Sequence, residues 1–253
     1  MLRVVERAGM AKLDSLIEDL VAANRILATE GIVDAFGHVS ARHPDREDRF
    51  LLARSVSPEL VESLDIMEFT LDGAATDFAP GKPYLERFIH AAIYQKRSEV
   101  RSVVHSHSHG PIPFGLTGEK LRPVVHSCAT IGDEVPVWDA QEGFGDTDLL
   151  VSDISMGLDL ARTLGEGNCV LMRGHGSTVV GKSIREAVYT AVYLEINAEL
   201  QWKAKFLGKA KFLSPGEIAR INTRLGQSRP GEGFNRSWKY WCRRAGIASK
   251  PNS

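Results

Sequence analysis

The sequence has few cysteines, and this scarcity excludes two classes of protein. Cys128, Cys169 and Cys242 are the only three among 253 residues, and no two stand at the short spacing of a zinc knuckle. An odd number of widely separated thiols also argues against a disulfide scaffold. We therefore expect a reducing, cytoplasmic environment.

Neither an excess of charge nor a long apolar run is present. The 31 lysines and arginines against 32 aspartates and glutamates leave a formal net charge of −1, so no overall field attracts nucleic acid or anionic lipid. No stretch reaches the roughly 18 uncharged apolar residues of a membrane helix. The charged N-terminal stretch is also unlike a secretory signal. We expect neither a nucleic-acid nor a membrane partner.

What is present is an ordinary globular composition, 43% hydrophobic, in which helix and strand patterns alternate. This alternation predicts an α/β domain with three α/β/α layers over residues 1–210. Apolar periodicity and capping signals predict helices at 13–31, 82–97 (with Pro83 in the first turn), 153–165 and 183–208. Strands are predicted at 36–42, 49–54, 67–72, 102–108 and, within the stretch 168–181, at 169–172.

The C-terminal part, 211–253, is predicted to be an extension of this domain. A helix is expected at 214–226 and a linker at 227–235. The basic, aromatic stretch at 236–250 is too short for a nucleic-acid-binding domain. We expect it to pack on a neighbouring subunit or on the domain itself.

Three histidines alternate in "VVHSHSHG", residues 103–110. Residues i and i+2 of a strand point to the same face, roughly 6–7 Å apart, so His105 and His107 can converge on one ion. His109 is the weaker ligand candidate, because the strand should already have broken beside Gly110. The alternative is a pair of hydrogen-bonded histidines at a sheet rim.

Two further residues extend this candidate metal site. His175 lies in "LMRGHGS" at the end of another apolar run, and the glycines on both sides let the backbone turn sharply. Glu86 lies in "YLERFIH", on the helix that precedes the histidine strand. Its carboxylate is either a solvated surface charge or a group that contacts metal and moves protons.

Together these motifs resemble the class II aldolase/adducin family over about residues 13–210. The resemblance implies a central mixed, largely antiparallel sheet and a homotetramer with active sites between subunits. It also implies that His105, His107 and His175 are metal ligands, and that Glu86 contacts the metal at rest and transfers protons during turnover. Three imidazoles leave coordination positions open for substrate.

The sequence departs from the sugar-phosphate aldolases of this family where those enzymes bind phosphate. His38 replaces an asparagine, Ser55-Val56 replaces a Ser/Thr-Gly pair, and Tyr84-Leu85 replaces two serines before the glutamate. Valine lacks the freely turning backbone that glycine offers a phosphate oxygen, and the two serine hydroxyls are lost. We therefore expect no phosphate site.

Arginines beside the motifs suit a carboxylate substrate, because the guanidinium binds carboxylates through two parallel hydrogen bonds. For each arginine the alternative is a surface charge or a structural ion pair. For His38 the alternative is a ring at the sheet rim whose hydrogen bonds are made with the backbone. The predicted substrate contacts are His38, Arg54, Ser55, Tyr84 and Arg173.

The sequences of these motifs are most similar to those of the family branch that decarboxylates hydroxylated aromatic or pyridine dicarboxylates. This similarity implies a metal-dependent lyase whose aromatic substrate chelates the ion through an ortho hydroxyl and a carboxylate. The donor set favours Zn²⁺ or Mn²⁺ and also accepts Fe²⁺ or Co²⁺. The alternatives are an aldolase for a non-phosphorylated hydroxy-keto acid and a non-catalytic adducin-like interaction module.

Overall fold

The computed structural model describes residues 2–76, 81–226 and 232–247. Its α-helices are α1 (Leu2–Thr29), α2 (Arg87–Lys96), α3 (Ile112–Leu116), α4 (Ala140–Phe144), α5 (Ile154–Leu164), α6 (Ile184–Leu207), α7 (Pro215–Gly226) and α8 (Asn235–Arg244). Its strands are β1 (His38–Arg42), β2 (Arg49–Ala53), β3 (Ile66–Thr70), β4 (Ser102–Ser106), β5 (Val137–Trp138), β6 (Cys169–Met172) and β7 (Gly176–Gly181).

The described strands form one sheet in the order β3-β2-β1-β4-β7-β6-β5. The pair β5 and β6 is parallel, and the other neighbouring pairs are antiparallel. The predicted mixed, largely antiparallel sheet is therefore confirmed. Since β1 and β4 are direct neighbours, their ends bring His38 opposite His105 in the register of the sheet.

Alternate residues of the strands enter two separate apolar cores. Leu51 and Val104 join the core under α1 and α6, whereas Phe50, Leu52 and Val103 join the core under α2 and α5. This alternation follows from the pleat, which turns successive side chains to opposite faces. A sheet buried on both faces explains the continuous apolar runs, and the three-layer prediction is confirmed.

The helix predicted to carry Glu86 begins later than the sequence pattern predicts, so Glu86 is its N-cap residue and does not lie within it. Pro83 was expected in its first turn, but α2 begins at Arg87. Pro83 instead forms a β-bridge with Arg54, and the Ser55 N–H donates to the carbonyl oxygen of residue 82 at 2.8 Å. Because this segment pairs with the chain that follows β2, it holds the start of α2 against the edge of the site.

The predicted strand at 169–172 is β6, and it forms a hairpin with β7 that has Arg173, Gly174 and His175 in its turn. Gly174 has a φ of +68°, a conformation that glycine adopts without strain. Gly176 lies so close to β4 that a Cβ atom there would be 2.1 Å from the carbonyl oxygen of Ser106. The two glycines thus let the turn carry His175 directly beside the end of β4.

The C-terminal helices pack on the rest of the same chain. Trp238 and Trp241 of α8 are buried in the core shared by α1 and α6, and the Trp241 ring lies 6.2 Å from that of Tyr189. Residues 227–231 of the predicted linker, and the tail beyond residue 247, lie outside the described residues. The division of the chain at residue 210 stays a prediction.

The structure also describes the state of the cysteines and the character of the longer helices. Cys128, Cys169 and Cys242 are free thiols, and all three are buried. Within the described ranges, no helix has the length and apolar character needed to cross a membrane.

Candidate metal centre

Four side chains from separate elements meet where β4 and the β6–β7 turn lie side by side. Each of Glu86, His105, His107 and His175 offers one ligand atom, and these atoms all lie within 4.8 Å of one another. The Nε2 atom of His107 is 3.1 Å from Nε2 of His105 and 3.1 Å from Nε2 of His175. His109 is exposed and lies outside this cluster.

Backbone carbonyls determine which ring nitrogen faces the cluster. The Nδ1 atom of His105 is 3.1 Å from the Ser177 carbonyl oxygen, and Nδ1 of His175 is 2.9 Å from the Leu149 carbonyl oxygen. A carbonyl only accepts, so Nδ1 carries the proton in both rings. A neutral imidazole has one N–H, and both Nε2 atoms therefore turn a bare lone pair toward the cluster.

Nδ1 of His107 faces the Asp34 carboxylate at 3.5 Å, so the Nε2 atom of His107 is bare as well. Bare lone pairs 3.1 Å apart repel one another unless a cation lies between them. At metal–nitrogen distances of about 2.0–2.1 Å, ligand atoms lie about 3.3 Å apart in a tetrahedral site and about 2.9 Å apart in an octahedral one. The observed separations of 3.1 Å fall between these values. The cluster thus fits a divalent first-row metal ion and does not select one geometry.

The electrostatics of the cluster keep its members in the form that metals bind. Burial, with the proximity of His105, lowers the pKa of His175 to about 4 and also lowers the pKa of His107. Burial alone would raise the pKa of Glu86, but the neighbouring His105 and His175 bring it to about 2. At neutral pH the imidazoles of His107 and His175 are therefore neutral and the Glu86 carboxylate is ionised, which are the forms that bind metal ions.

Glu86 approaches the histidines from the N-terminus of α2. Its Oε2 atom is 3.5 Å from Nε2 of His105 and 3.6 Å from Nε2 of His175. Its Oε1 atom accepts a hydrogen bond of 3.1 Å from the Val151 N–H. One oxygen is thus oriented by the backbone, and the other faces the three imidazoles.

The segment around Leu149 supports two members of the cluster at once. Its carbonyl orients His175, and the Val151 N–H two residues later orients Glu86. Leu149 has a φ of +67°, which is uncommon for a residue other than glycine and costs of order 1–3 kcal/mol. Sequence analysis missed this segment, because backbone groups act here and leave no side-chain signature.

Asp34, which sequence analysis also missed, orients the third imidazole. Its Oδ1 atom is 3.5 Å from Nδ1 of His107 and also accepts a hydrogen bond of 2.8 Å from the Phe36 N–H. A carboxylate behind a metal-binding histidine selects the tautomer and raises the basicity of the ligand. All three histidines therefore have an acceptor behind Nδ1.

We expect Asp34→Asn to weaken zinc binding about 10-fold, because an amide is a poorer acceptor for the His107 N–H than a carboxylate. Competition with a chromophoric chelator measures this affinity. Asp48→Asn is the control, since Asp48 is exposed and pairs with Arg49. An unchanged zinc affinity in the Asp34 variant would show that this carboxylate does not support the ligand.

His38 and Tyr84 form a buried wall beside the cluster. The ring centroid of His38 lies 4.6 Å from that of Tyr84 and 5.1 Å from that of His105. The Tyr84 hydroxyl donates to the Val56 carbonyl oxygen, which directs the phenol away from the cluster and leaves the ring as its contribution. The predicted wall of Tyr84 and Leu85 stays a prediction, and Leu85 is exposed.

The two arginines predicted to contact substrate each have an ion-pair partner. Nε of Arg54 donates to Asp65 at 2.6 Å, and Nε of Arg173 donates to Asp139 at 2.5 Å. Within the described residues, the terminal nitrogens of both guanidinium groups have no hydrogen bond. Both side chains are about one-third exposed, at 37% and 34%. Ser55 contributes a backbone bond to the segment before α2.

Arg42, a third arginine beside the motifs, has a structural role. It is buried and donates to the carbonyl oxygens of four residues that follow β1, end α2 or precede β4, namely Glu47, Tyr94, Arg97 and Val100. Its guanidinium therefore ties α2 to the sheet and does not reach the site.

The fold and the cluster agree with a sequence comparison that identifies the family. The chain belongs to the class II aldolase and adducin family, since the model of the class II aldolase and adducin N-terminal domain matches residues 18–202.

Individual relatives and solved structures fall within the same group. The decarboxylase TropJ of Talaromyces stipitatus is 36% identical over 246 residues, 90% of this chain and 92% of that protein. A 3,4-dihydroxyphthalate decarboxylase of Terrabacter sp. is 29% identical over 252 residues, 94% and 99% of the two chains. The structure of L-fuculose 1-phosphate aldolase from Glaciozyma antarctica superposes with a TM-score of 0.75 over 94% of this chain and 92% of that one. Its sequence identity is 24%, so the comparison shows a likeness of fold.

Proposed function

We propose that this protein is a divalent-metal-dependent carboxy-lyase that removes CO₂ from a hydroxylated aromatic or heteroaromatic carboxylate. The observation that carries the proposal is the convergence of three bare imidazole nitrogens and one ionised carboxylate within 4.8 Å. Three protein nitrogens leave positions open for substrate oxygens, as a catalytic site requires. The decarboxylase activities of TropJ and of the dihydroxyphthalate enzyme support the reaction class.

The proposed ligands are His105, His107 and His175, and a Zn²⁺ or Mn²⁺ ion there, or Fe²⁺ or Co²⁺, would supply Lewis acidity to the substrate hydroxyl oxygen. Glu86 is ionised at rest and takes the proton of that hydroxyl. It then donates the proton to the ring carbon that carries the carboxylate. The bond from this carbon to the carboxylate breaks, its electron pair restores the aromatic ring, and CO₂ leaves.

The surroundings of the cluster suit an aromatic acid better than a sugar phosphate. His38 and Tyr84 present ring surfaces, whereas the glycine and the paired serines of the phosphate-binding aldolases are absent. We propose that the free terminal nitrogens of Arg54 and Arg173 bind substrate carboxylate, with Ser55 lining the same edge.

From the family resemblance we further propose that the protein is cytoplasmic and forms a homotetramer. Its active sites would lie at the interfaces between subunits. Large apolar side chains exposed along the C-terminal half of α6 support self-association, namely Leu200, Trp202, Phe206 and Leu207. An apolar surface of this kind is typical of an interface between subunits.

The direct test is CO₂ release from 3,4-dihydroxyphthalate and from hydroxypyridine dicarboxylates by the Zn²⁺- or Mn²⁺-reconstituted protein. We expect release of one CO₂ per substrate and loss of activity after chelation. Formation of pyruvate or an aldehyde from hydroxy-keto acids, without CO₂ release, would indicate the aldolase alternative. Fewer than about one bound ion per site after reconstitution would favour the non-catalytic module.

A further inference from the structure

A buried chain of hydrogen bonds leads from His38 into the core, away from the metal cluster. Nδ1 of His38 is 2.7 Å from Nε2 of His90, and Nδ1 of His90 is 2.6 Å from Oγ of Ser40. The Ser40 Oγ atom is in turn 2.8 Å from the Tyr94 hydroxyl oxygen. His38, His90, Ser40 and Tyr94 are all buried, so water does not compete for these bonds.

The proton count allows two directions for this chain. Both rings are buried and, within the described residues, neither has a hydrogen bond to a carboxylate, which favours neutral imidazoles with one N–H each. In one direction Tyr94 donates to Ser40, Ser40 donates to Nδ1 of His90, and Nε2 of His90 donates to Nδ1 of His38. In the opposite direction every donor becomes an acceptor.

The Tyr94 hydroxyl, at the end of the hydrogen-bond chain farthest from His38, decides between the two directions. Within the described residues, Ser40 is the only acceptor beside the Tyr94 hydroxyl, because the Val103 backbone group near it is an N–H donor, which opposes the rise that burial causes in the pKa of the phenol. If Ser40 donated to Tyr94, the phenol proton would be buried without an acceptor, at a cost of about 1–3 kcal/mol. The chain therefore runs from Tyr94 toward His38, whose Nδ1 accepts and whose proton is on Nε2.

The Nε2 atom of His38 is the other end of this hydrogen-bond chain. No hydrogen bond to Nε2 is present within the described residues, and the ring lies beside His105 and Tyr84. An N–H in such a place needs an acceptor from a bound molecule. A carboxylate oxygen is the acceptor that gains most from a neutral donor there, because hydrogen bonds to charged groups are the stronger ones.

We propose that Ser40 and His90 are positioning residues that hold His38 as an Nε2–H donor, and that this N–H binds a carboxylate oxygen of the substrate. The carboxylate substrate in this inference rests on the proposed function. The tautomer itself is independent of turnover, so the two can fail separately.

The tautomer is measured directly by two-bond ¹⁵N–¹H correlation spectra of the zinc-loaded protein labelled with ¹⁵N-histidine. We expect protonated Nε2 and bare Nδ1 at both His38 and His90, with the signals assigned through His38→Gln and His90→Gln. Protonated Nδ1 at His38 would overturn the proposal.

Two variants separate the proposed role from a merely structural one. Ser40→Ala removes the donor to His90, so we expect His38 to show both tautomers. Tyr94→Phe also removes one buried hydrogen bond, but Ser40 keeps its proton and still donates to His90. The tautomer of His38 should therefore stay unchanged in this matched control. Equal effects of the two variants on the tautomer would overturn the proposal.

Binding of phthalate, measured by calorimetry, tests the recognition step. Phthalate has two carboxylates but no hydroxyl, so it cannot enter the proposed reaction. We expect His38→Leu to weaken phthalate binding about 10-fold or more, and His38→Gln, which keeps an N–H donor, to weaken it less than about 3-fold. Equal affinity of the wild type and His38→Leu for phthalate would contradict this role of His38.

Discussion

Replacement of Glu86 with glutamine is expected to lower the rate of CO₂ release roughly 100- to 10,000-fold, the range that a positioned acid–base group supplies. The amide has nearly the same shape and can still accept from the Val151 N–H. It has no ionisable proton, so the transfer from hydroxyl to ring carbon stops. His105, His107 and His175 are unchanged, and bound metal should stay near one ion per site.

Rates and metal content are measured on the same preparations. Glu30→Gln is a suitable control, because it removes a carboxylate that is also largely buried but that pairs with Arg244, outside the cluster. Its activity should remain close to that of the wild type. Full activity of Glu86→Gln would remove this residue from the mechanism.

A second large effect is expected when His107 is replaced by alanine. One of the three imidazole nitrogens of the cluster is then lost. The two contacts of 3.1 Å that His107 makes with His105 and with His175 are lost with it. Loss of an outer partner of a ligand costs 10- to 100-fold in metal affinity, so loss of the ligand itself should cost more than about 100-fold. CO₂ release should fall in parallel.

His109→Ala is the matched control, because it makes the same chemical change two residues along the chain, at an exposed position outside the cluster. Zinc affinity is measured by chelator competition, and unfolding with and without zinc gives a second readout. At a zinc concentration 100 times its Kd, the wild type and His109→Ala should gain about 2.7 kcal/mol in unfolding free energy. The same gain in His107→Ala would exclude this imidazole as a ligand.

The elements of the fold were largely predictable from local patterns. The alternation of β2 and β4 side chains between the two cores follows from the pleat, and the helix predicted from residue 183 is α6, with Ser183 as its N-cap. Pro83 was misplaced, because its preference for a first helical turn is weaker than the pairing of its segment with the chain after β2.

The sequence by itself determined the fold class, through its periodicity, and it named the four residues of the cluster through the resemblance of their motifs to a known family. Only the tertiary structure decided which ring nitrogens face inward. The groups that orient them are the carbonyls of Leu149 and Ser177 and the carboxylate of Asp34. A carbonyl is present in every residue, so no motif distinguishes one that orients a ligand. The same holds for the chain from Tyr94 to His38, whose direction depends on contacts between β1 and α2.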